Sequence, residues 1–302
     1  MEHKNDLILR LQLGEKVITI GGAASPYRLL SSGFVGGEAT EAVTETAHRA
    51  QPEGALVLNR YPAGRELTLL FEIADYDNRE AYRSSLLSFF DPTAEGVLTV
   101  TRVGVDGRSV SRSIACMLSG RMTMTQENLH SYIRVRVPLY CPDPYFFSDT
   151  AESAAAHDVT DLLSFPLTVT ADTGAVSGLV QNEDVLRVWN SGDAPTGFMI
   201  CLRAVDYGGT QTAATVNPVI TREEDGAYIR ILTTLEVGDT LVISTLPGAK
   251  YVLKNGENCL RFDRGSTFFP LLCGQNTLHI SADAMPQPPE TMIAYRNRYF
   301  GT

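Results

Sequence analysis

The sequence predicts a mostly β protein in two parts, the first carrying one helix and the second forming a β-sandwich. Three observations predict it. In the first half, stretches with an apolar residue at every second position recur, the period of a half-buried strand. In the second half, short apolar stretches are separated at regular spacing by Gly-, Asn- and Asp-containing turns. Between the halves lies Cys141-Pro142-Asp143-Pro144-Tyr145-Phe146-Phe147-Ser148-Asp149. Pro142 and Pro144 lack N–H donors and cannot sit inside a sheet ladder. Tyr145, Phe146 and Phe147 need burial. The segment therefore reads as a rigid, anchored junction, with one domain over 1–149 and another over 150–302, and its aromatics are expected to be buried between them.

The first element is a hairpin. Leu7, Leu9, Leu11 and Leu13 alternate with Ile8, Arg10 and Gln12, and Gly14-Glu15 turns the chain into Val17-Ile18-Thr19-Ile20. From Ser31 to Ala55 the composition shifts to Gly, Ala, Thr and Glu without a strong period, which predicts a long loop. Such a loop is either a solvated surface segment or an arm that orders against a neighbouring subunit, here over Phe34 to Ala55. Leu67, Leu69, Phe71 and Ile73 then form a strand. A helix follows. Asp77 and Glu80 have capping-box spacing, Tyr82, Leu86, Phe89 and Phe90 share one helical face, and Asp91-Pro92 stops it. That helix is expected to plug the open face of a curved sheet. Ile133, Val135, Val137 and Leu139 give the strand that runs into the junction.

Beyond Asp158, strands are predicted at Phe165–Thr170, Leu186–Trp189, Phe198–Ala204, Tyr228–Leu232, Leu241–Thr245, Tyr251–Leu253 and Thr277–Ser281. Asp225-Gly226, Gly238-Asp239, Pro247-Gly248 and Asn255-Gly256 are among the turns between them. Lys254-Asn255-Gly256-Glu257 is the strongest hairpin signal, because a type I′ turn needs positive φ at both central residues. Short strands so punctuated indicate a sandwich.

Composition narrows the function. A chain of 302 residues can hold two domains, each with its own core. A net charge of −10 argues against a dominant nucleic-acid-binding role, because phosphate affinity comes mostly from Lys and Arg. No apolar run approaches the roughly 18 residues of a membrane span, and the charged, alternating start MEHKNDLILRLQLGE is not expected to be a signal peptide. The cysteines Cys116, Cys141, Cys201, Cys259 and Cys273 are odd in number and scattered, which fits reduced thiols made in a cytoplasm.

No catalytic set emerges. Phosphate-cradle glycine motifs, HExxH and GxSxG are absent. The histidines His3, His48, His130, His157 and His279 are isolated, and His279 reads as a packed or rim residue of a strand. Asp158 and Asp161, and the run Glu223-Glu224-Asp225 before Gly226, sit at turns, where solvated loops are the default. The chain is therefore expected to have no catalytic, metal or cofactor residues. Trp189, the only tryptophan, reads first as a residue closing the sandwich core. The alternative is an exposed platform for a sugar, with Tyr207 as a second contact.

In order and spacing these features resemble the distal tail protein (Dit) family of siphovirus-type phages. The residues that carry the resemblance begin with the Leu-rich hairpin, the helix Asn78 to Phe90 and the strand Ile133 to Leu139 running into CPDPYFFSD. They continue with NSGDAPTG (Asn190 to Gly197), Asn217-Pro218, VGDTLVIST (Val237 to Thr245), KNGEN (Lys254 to Asn258), STFFPLLCGQNTL (Ser266 to Leu278) and the closing AYRNRYFGT. Cys273 stands where the family usually has a proline before the glycine. The resemblance implies a ring-forming split β-barrel with one helix over 1–149, followed by a galectin-like or carbohydrate-module-like β-sandwich over 150–302. It also implies a homohexameric ring at a virion tail tip, made in the host cytoplasm. Its partners would be the tail tube protein, a tail-associated hub protein and in some cases a receptor-binding protein or host glycan. The rival reading is a carbohydrate-binding adhesin, and a more distant one is a glycan-cleaving enzyme.

Overall fold

The structure is a computed structural model that describes residues 6–48, 55–104, 106–126, 131–149, 184–205, 214–286 and 288–302. The chain forms two compact units, Met1–Asp149 together with Tyr299–Thr302, and Thr150–Arg298. The last four residues thus group with the first unit.

The first unit runs β1 (Asp6–Leu13), β2 (Lys16–Ile20), β3 (Tyr27–Val35), β4 (Ala42–His48), β5 (Ala55–Pro62), β6 (Arg65–Ile73), α1 (Arg79–Phe89), β7 (Glu95–Val103), β8 (Ser109–Leu118), β9 (Thr123–Thr125), β10 (Arg134–Cys141) and β11 (Phe146–Ser148). Its main sheet has the order β2-β1-β7-β8-β10-β6-β3 and is open, with β9 on β10 and β11 on β8. Pairing is antiparallel, and the register puts like with like: Leu11 lies opposite Leu98, and Leu69 opposite Val137. Because side chains alternate across a sheet, this register turns Leu9, Leu11, Leu13, Leu67, Leu69, Phe71, Leu98, Val100, Val135, Val137 and Leu139 onto one buried face. Leu86, Phe89 and Phe90 from α1 fill the same core, with Tyr82 packed at its edge. The helix does cover the sheet, as its apolar stripe predicts.

The helix start is displaced from the expected Asp77 box. Asn78 is the N-cap residue, and its side chain makes no cap hydrogen bond. Asp75 supplies the order instead: its carboxylate accepts the Asn78 backbone N–H at 3.1 Å and the Asn78 side-chain N–H at 3.0 Å. These bonds hold the Asp75 carboxyl below its ordinary pKa. Glu80 lies in the first turn, where the helix dipole favours an acid, and pairs with Arg83 at 3.6 Å.

The expected aperiodic loop from Ser31 to Ala55 is overturned. Ser31 to Val35 belong to β3, and β4 and β5 form their own two-stranded antiparallel hairpin, apart from the main sheet. The hairpin escapes a periodicity reading because its strands bury no continuous face. Alternation marks a strand only where one side meets a core.

The second unit runs β12 (Val185–Asn190), β13 (Phe198–Arg203), β14 (Thr215–Val216), β15 (Val219–Arg222), β16 (Tyr228–Arg230), β17 (Thr234–Leu235), β18 (Thr240–Leu246), β19 (Ala249–Lys254), β20 (Glu257–Asn258), β21 (Gly274–Ser281) and β22 (Glu290–Tyr295). A last two-residue strand, β23 (Arg298–Tyr299), falls where the chain leaves this unit. A four-stranded sheet, β12-β21-β15-β16, and a five-stranded sheet, β20-β19-β18-β13-β22, share one core. Leu186, Val188, Ile220, Leu278 and Ile280 enter it from the first sheet, and Ile200, Leu202, Ile243, Val252 and Ile293 from the second. This is the predicted sandwich. The Asn255-Gly256 turn has φ of 52° and 83°, the two positive values a type I′ hairpin requires. The expected strand Phe165–Thr170 and the pair Asp158 and Asp161 lie outside the described residues.

Candidate functional site

The acidic run of the second unit is structural. Arg222 is buried, and its guanidinium donates to both carboxylate oxygens of Asp225 and to the Pro270 carbonyl. These bonds, with the Ala227 backbone N–H, lower the Asp225 pKa to about 2. The Glu224 carboxylate accepts the Thr277 backbone N–H at 2.6 Å. Glu223 lies 3.4 Å from the ring of His279, which sits partly exposed on β21. The run thus ties the turn after β15 to the buried Arg222 and to the backbone of β21. Among the described residues, no group of three His, Cys, Asp or Glu is placed to hold a metal ion. His3, His130 and His157 lie outside the described residues.

The thiols are mostly inert. Cys116, Cys141 and Cys201 are buried, and desolvation pushes all three thiols up, Cys116 to about 12 and Cys201 to about 11. Cys273 is exposed.

The junction residues take separate roles. Pro142 is exposed and Pro144 buried. Phe146 is fully buried in the core of the first unit, with the Arg65 guanidinium over its ring at 4.9 Å. Phe147 and Tyr145 are half-buried. Phe147 pairs through its backbone with Ser113 of β8, so the segment after the prolines is a short strand added to the first unit's sheet.

Trp189 corrects its first reading. It does not close the sandwich core, and 60% of it is exposed. Leu186 and Val188 point inward, so alternation along β12 turns Arg187 and Trp189 outward. Gln275, also exposed, sits opposite Trp189 on β21, and the Tyr295 hydroxyl donates to the Trp189 carbonyl at 2.8 Å. Tyr207 lies outside the described residues.

The most conspicuous unsatisfied surface is the β4–β5 hairpin. Every residue of β5 is exposed, on both faces of the strand. Leu56, Val57, Leu58 and Tyr61 are among the chain's exposed large hydrophobics, with Leu58 63% exposed. The Tyr61 hydroxyl bonds Glu45 across the pair at 3.1 Å. A two-stranded hairpin without a third strand is marginal in water, and covering these apolar side chains would relieve their exposure. The arm expected over Phe34 to Ala55 overlaps β4 but stops where β5 begins, so it leaves out Leu56, Val57, Leu58 and Tyr61. A signal that could have found them is the run Ala55-Leu56-Val57-Leu58, apolar at every position and β-prone.

Residues 192–299 match the family model for the siphovirus-type tail component, C-terminal domain. The fold of the whole chain is similar to the crystal structure of the Dit protein of phage SPP1, described as a paradigm of the hub adsorption apparatus in phages that infect Gram-positive hosts. That likeness has a TM-score of 0.65 at 10% identity, over 96% of this chain and 98% of the other. Chains of the phage P2 baseplate in its activated conformation, with calcium or strontium, align over 97% of this chain and 98% of theirs. Their TM-scores are 0.48, at 9% and 10% identity. No curated protein sequence matches the chain.

Proposed function

We propose that this chain is a structural component of a phage or prophage tail tip, a ring-forming distal tail protein that joins the tail tube to the hub and receptor-binding apparatus. The observation that carries this reading is the fold likeness to the SPP1 Dit protein, which runs nearly end to end on both chains. The family match over residues 192–299 supports it independently from sequence. In this reading the first unit builds a closed ring of six copies. The β4–β5 hairpin seats its apolar strand on the neighbouring copy, which covers Leu56, Val57, Leu58 and Tyr61. A ring of identical subunits uses heterologous contacts that close by rotation, and a projecting arm meeting a different patch on the next copy is such a contact. Its neighbours would be the tail tube protein on one side and the tail-associated hub protein on the other.

The role is assembly, with no catalysis, metal or organic cofactor. Trp189, with Arg187 and Gln275 beside it, is where a host sugar would stack on the second unit. One such shallow contact is weak, and six copies acting together would supply avidity.

Light scattering on the purified full chain tests the ring. A particle of six 32.9 kDa chains is expected, and a monomer at high concentration overturns the ring. Replacing Val43 to Tyr61 by a short Gly-Ser linker should leave the far-UV spectrum of the folded sheet in place and abolish the particle. A variant that still elutes as a full ring overturns the arm. Tight glycan binding by a monomeric wild-type chain would instead support the adhesin.

A further inference from the structure

Three arginines of the first unit converge on its last four residues. Arg65, at the start of β6, is 5% exposed, and all its hydrogen-bond acceptors are backbone carbonyls. Its Nε donates to Pro144 at 2.9 Å, its Nη1 to Gly36 at 2.7 Å and Glu38 at 3.0 Å, and its Nη2 to Phe300. Arg112 donates to the Gly301 carbonyl and lies 3.8 Å from the centre of the Tyr299 ring. Arg102 donates to the Thr302 hydroxyl at 3.0 Å. The Thr302 backbone N–H in turn donates to the Gly37 carbonyl at 3.0 Å. The packing is close enough that a Cβ on Gly301 would sit 2.5 Å from the Glu38 carbonyl oxygen.

Residues 36–38 are the start of the connection from β3 to the β4–β5 hairpin, and the Ala63 N–H closes the other side of its base on Glu41 at 2.8 Å. A buried guanidinium is stable only while its donors are satisfied together, because each orphaned charged donor carries its full desolvation cost. Loss of Phe300 therefore weakens the hold of Arg65 on Gly36 and Glu38. The two segments are far apart in sequence and share one cation.

We propose that Tyr299–Thr302 is a strap which, through Arg65, locks the base of the β4–β5 hairpin and so fixes the direction in which the arm projects. With the strap seated, residues 36–41 are held against the sheet. With the strap withdrawn, the hairpin pivots at its base while the sheet persists. The strap follows directly on the last residue of the second unit, so withdrawal would be driven through that connection. The arm's role in a ring gives the strap its use, but the strap itself is read on a single chain.

Hydrogen exchange by mass spectrometry on the full chain tests this, with Gly301→Ala and Arg65→Gln. Gly301→Ala pushes a methyl into the Glu38 carbonyl and leaves the sheet core untouched. It should raise exchange at least tenfold both at residues 299–302 and at residues 36–48, with β1, β7 and β22 unchanged. Arg65→Gln should do the same, and if it fails to fold, Gly301→Ala alone decides. Faster exchange at 299–302 with residues 36–48 unchanged overturns the strap. So does no change at either segment. The measurement is made on the monomeric fraction, so failure of the ring reading, seen as a monomer in light scattering, leaves the strap comparison intact.

Discussion

Phe146→Ala separates an anchored junction from a passive linker. Phe146 is fully buried among the first unit's core residues, and its ring supports the Arg65 guanidinium at 4.9 Å. Truncating a buried Phe to Ala costs about 3–5 kcal/mol, as lost transfer energy and the cavity left behind. The cation–ring contact adds to this, by about 0.5–2 kcal/mol at a desolvated site. For a unit of about 150 residues the unfolding entropy converts the cavity term alone into a fall in Tm of about 10–15 °C. The lesion can be localised, because Trp189 is the only tryptophan and lies in the second unit. Far-UV circular dichroism follows both units, whereas tryptophan emission follows the second. The expected result is a large downward shift in the dichroism transition and a smaller loss for the half-buried Phe147→Ala. A Tm within about 2 °C of wild type for Phe146→Ala would refute the reasoning, since no fully packed core site relaxes that completely.

Three further outcomes follow from the same geometry. Asp225 has a folded pKa of about 2, below the unfolded value of about 3.9, so its stabilising contribution is complete above pH 4 and lost as pH falls from about 4 to 2. Urea midpoints of Asp225→Asn should therefore fall less steeply than wild type over that window, and parallel curves would show that the Arg222 pair does not hold the turn. At pH 8 an aromatic disulfide reagent should modify Cys273 at once and Cys116, Cys141 and Cys201 only after denaturation; prompt reaction of three or more thiols would contradict the burial. Trp189→Ala should change stability by no more than about 0.5 kcal/mol, because the side chain is 60% exposed, and a loss above about 2 kcal/mol would return Trp189 to the core.

Much of this protein is determined by its sequence alone. Strands that bury one face announce themselves, because the period-2 pattern is the same fact as the one-sided burial. Leu9-Arg10-Leu11-Gln12-Leu13 and Val135-Arg136-Val137 are legible for that reason. Turns whose chemistry is local are equally legible. Asn255-Gly256 needs positive φ whatever surrounds it, and it has it. The helix stripe of Leu86, Phe89 and Phe90 predicts a buried face, although not the residue at which the helix starts, since Asp77 has capping-box spacing but the chain's path makes Asn78 the N-cap, held by Asp75.

Tertiary structure decided the rest, wherever a residue's role depends on partners distant in the chain. The outward direction of Trp189 is set by the register of β12 on β21, and a one-residue slip would have buried it. The hairpin of β4 and β5 has no core face to write an alternating pattern, so its exposure on both sides appears only in space. Arg65 shows the principle most plainly. In sequence it is one arginine before an apolar strand. In the fold it is a buried cation joining residues 36–38, 144 and 300, and no local pattern records an interaction whose partners meet only after the chain has closed.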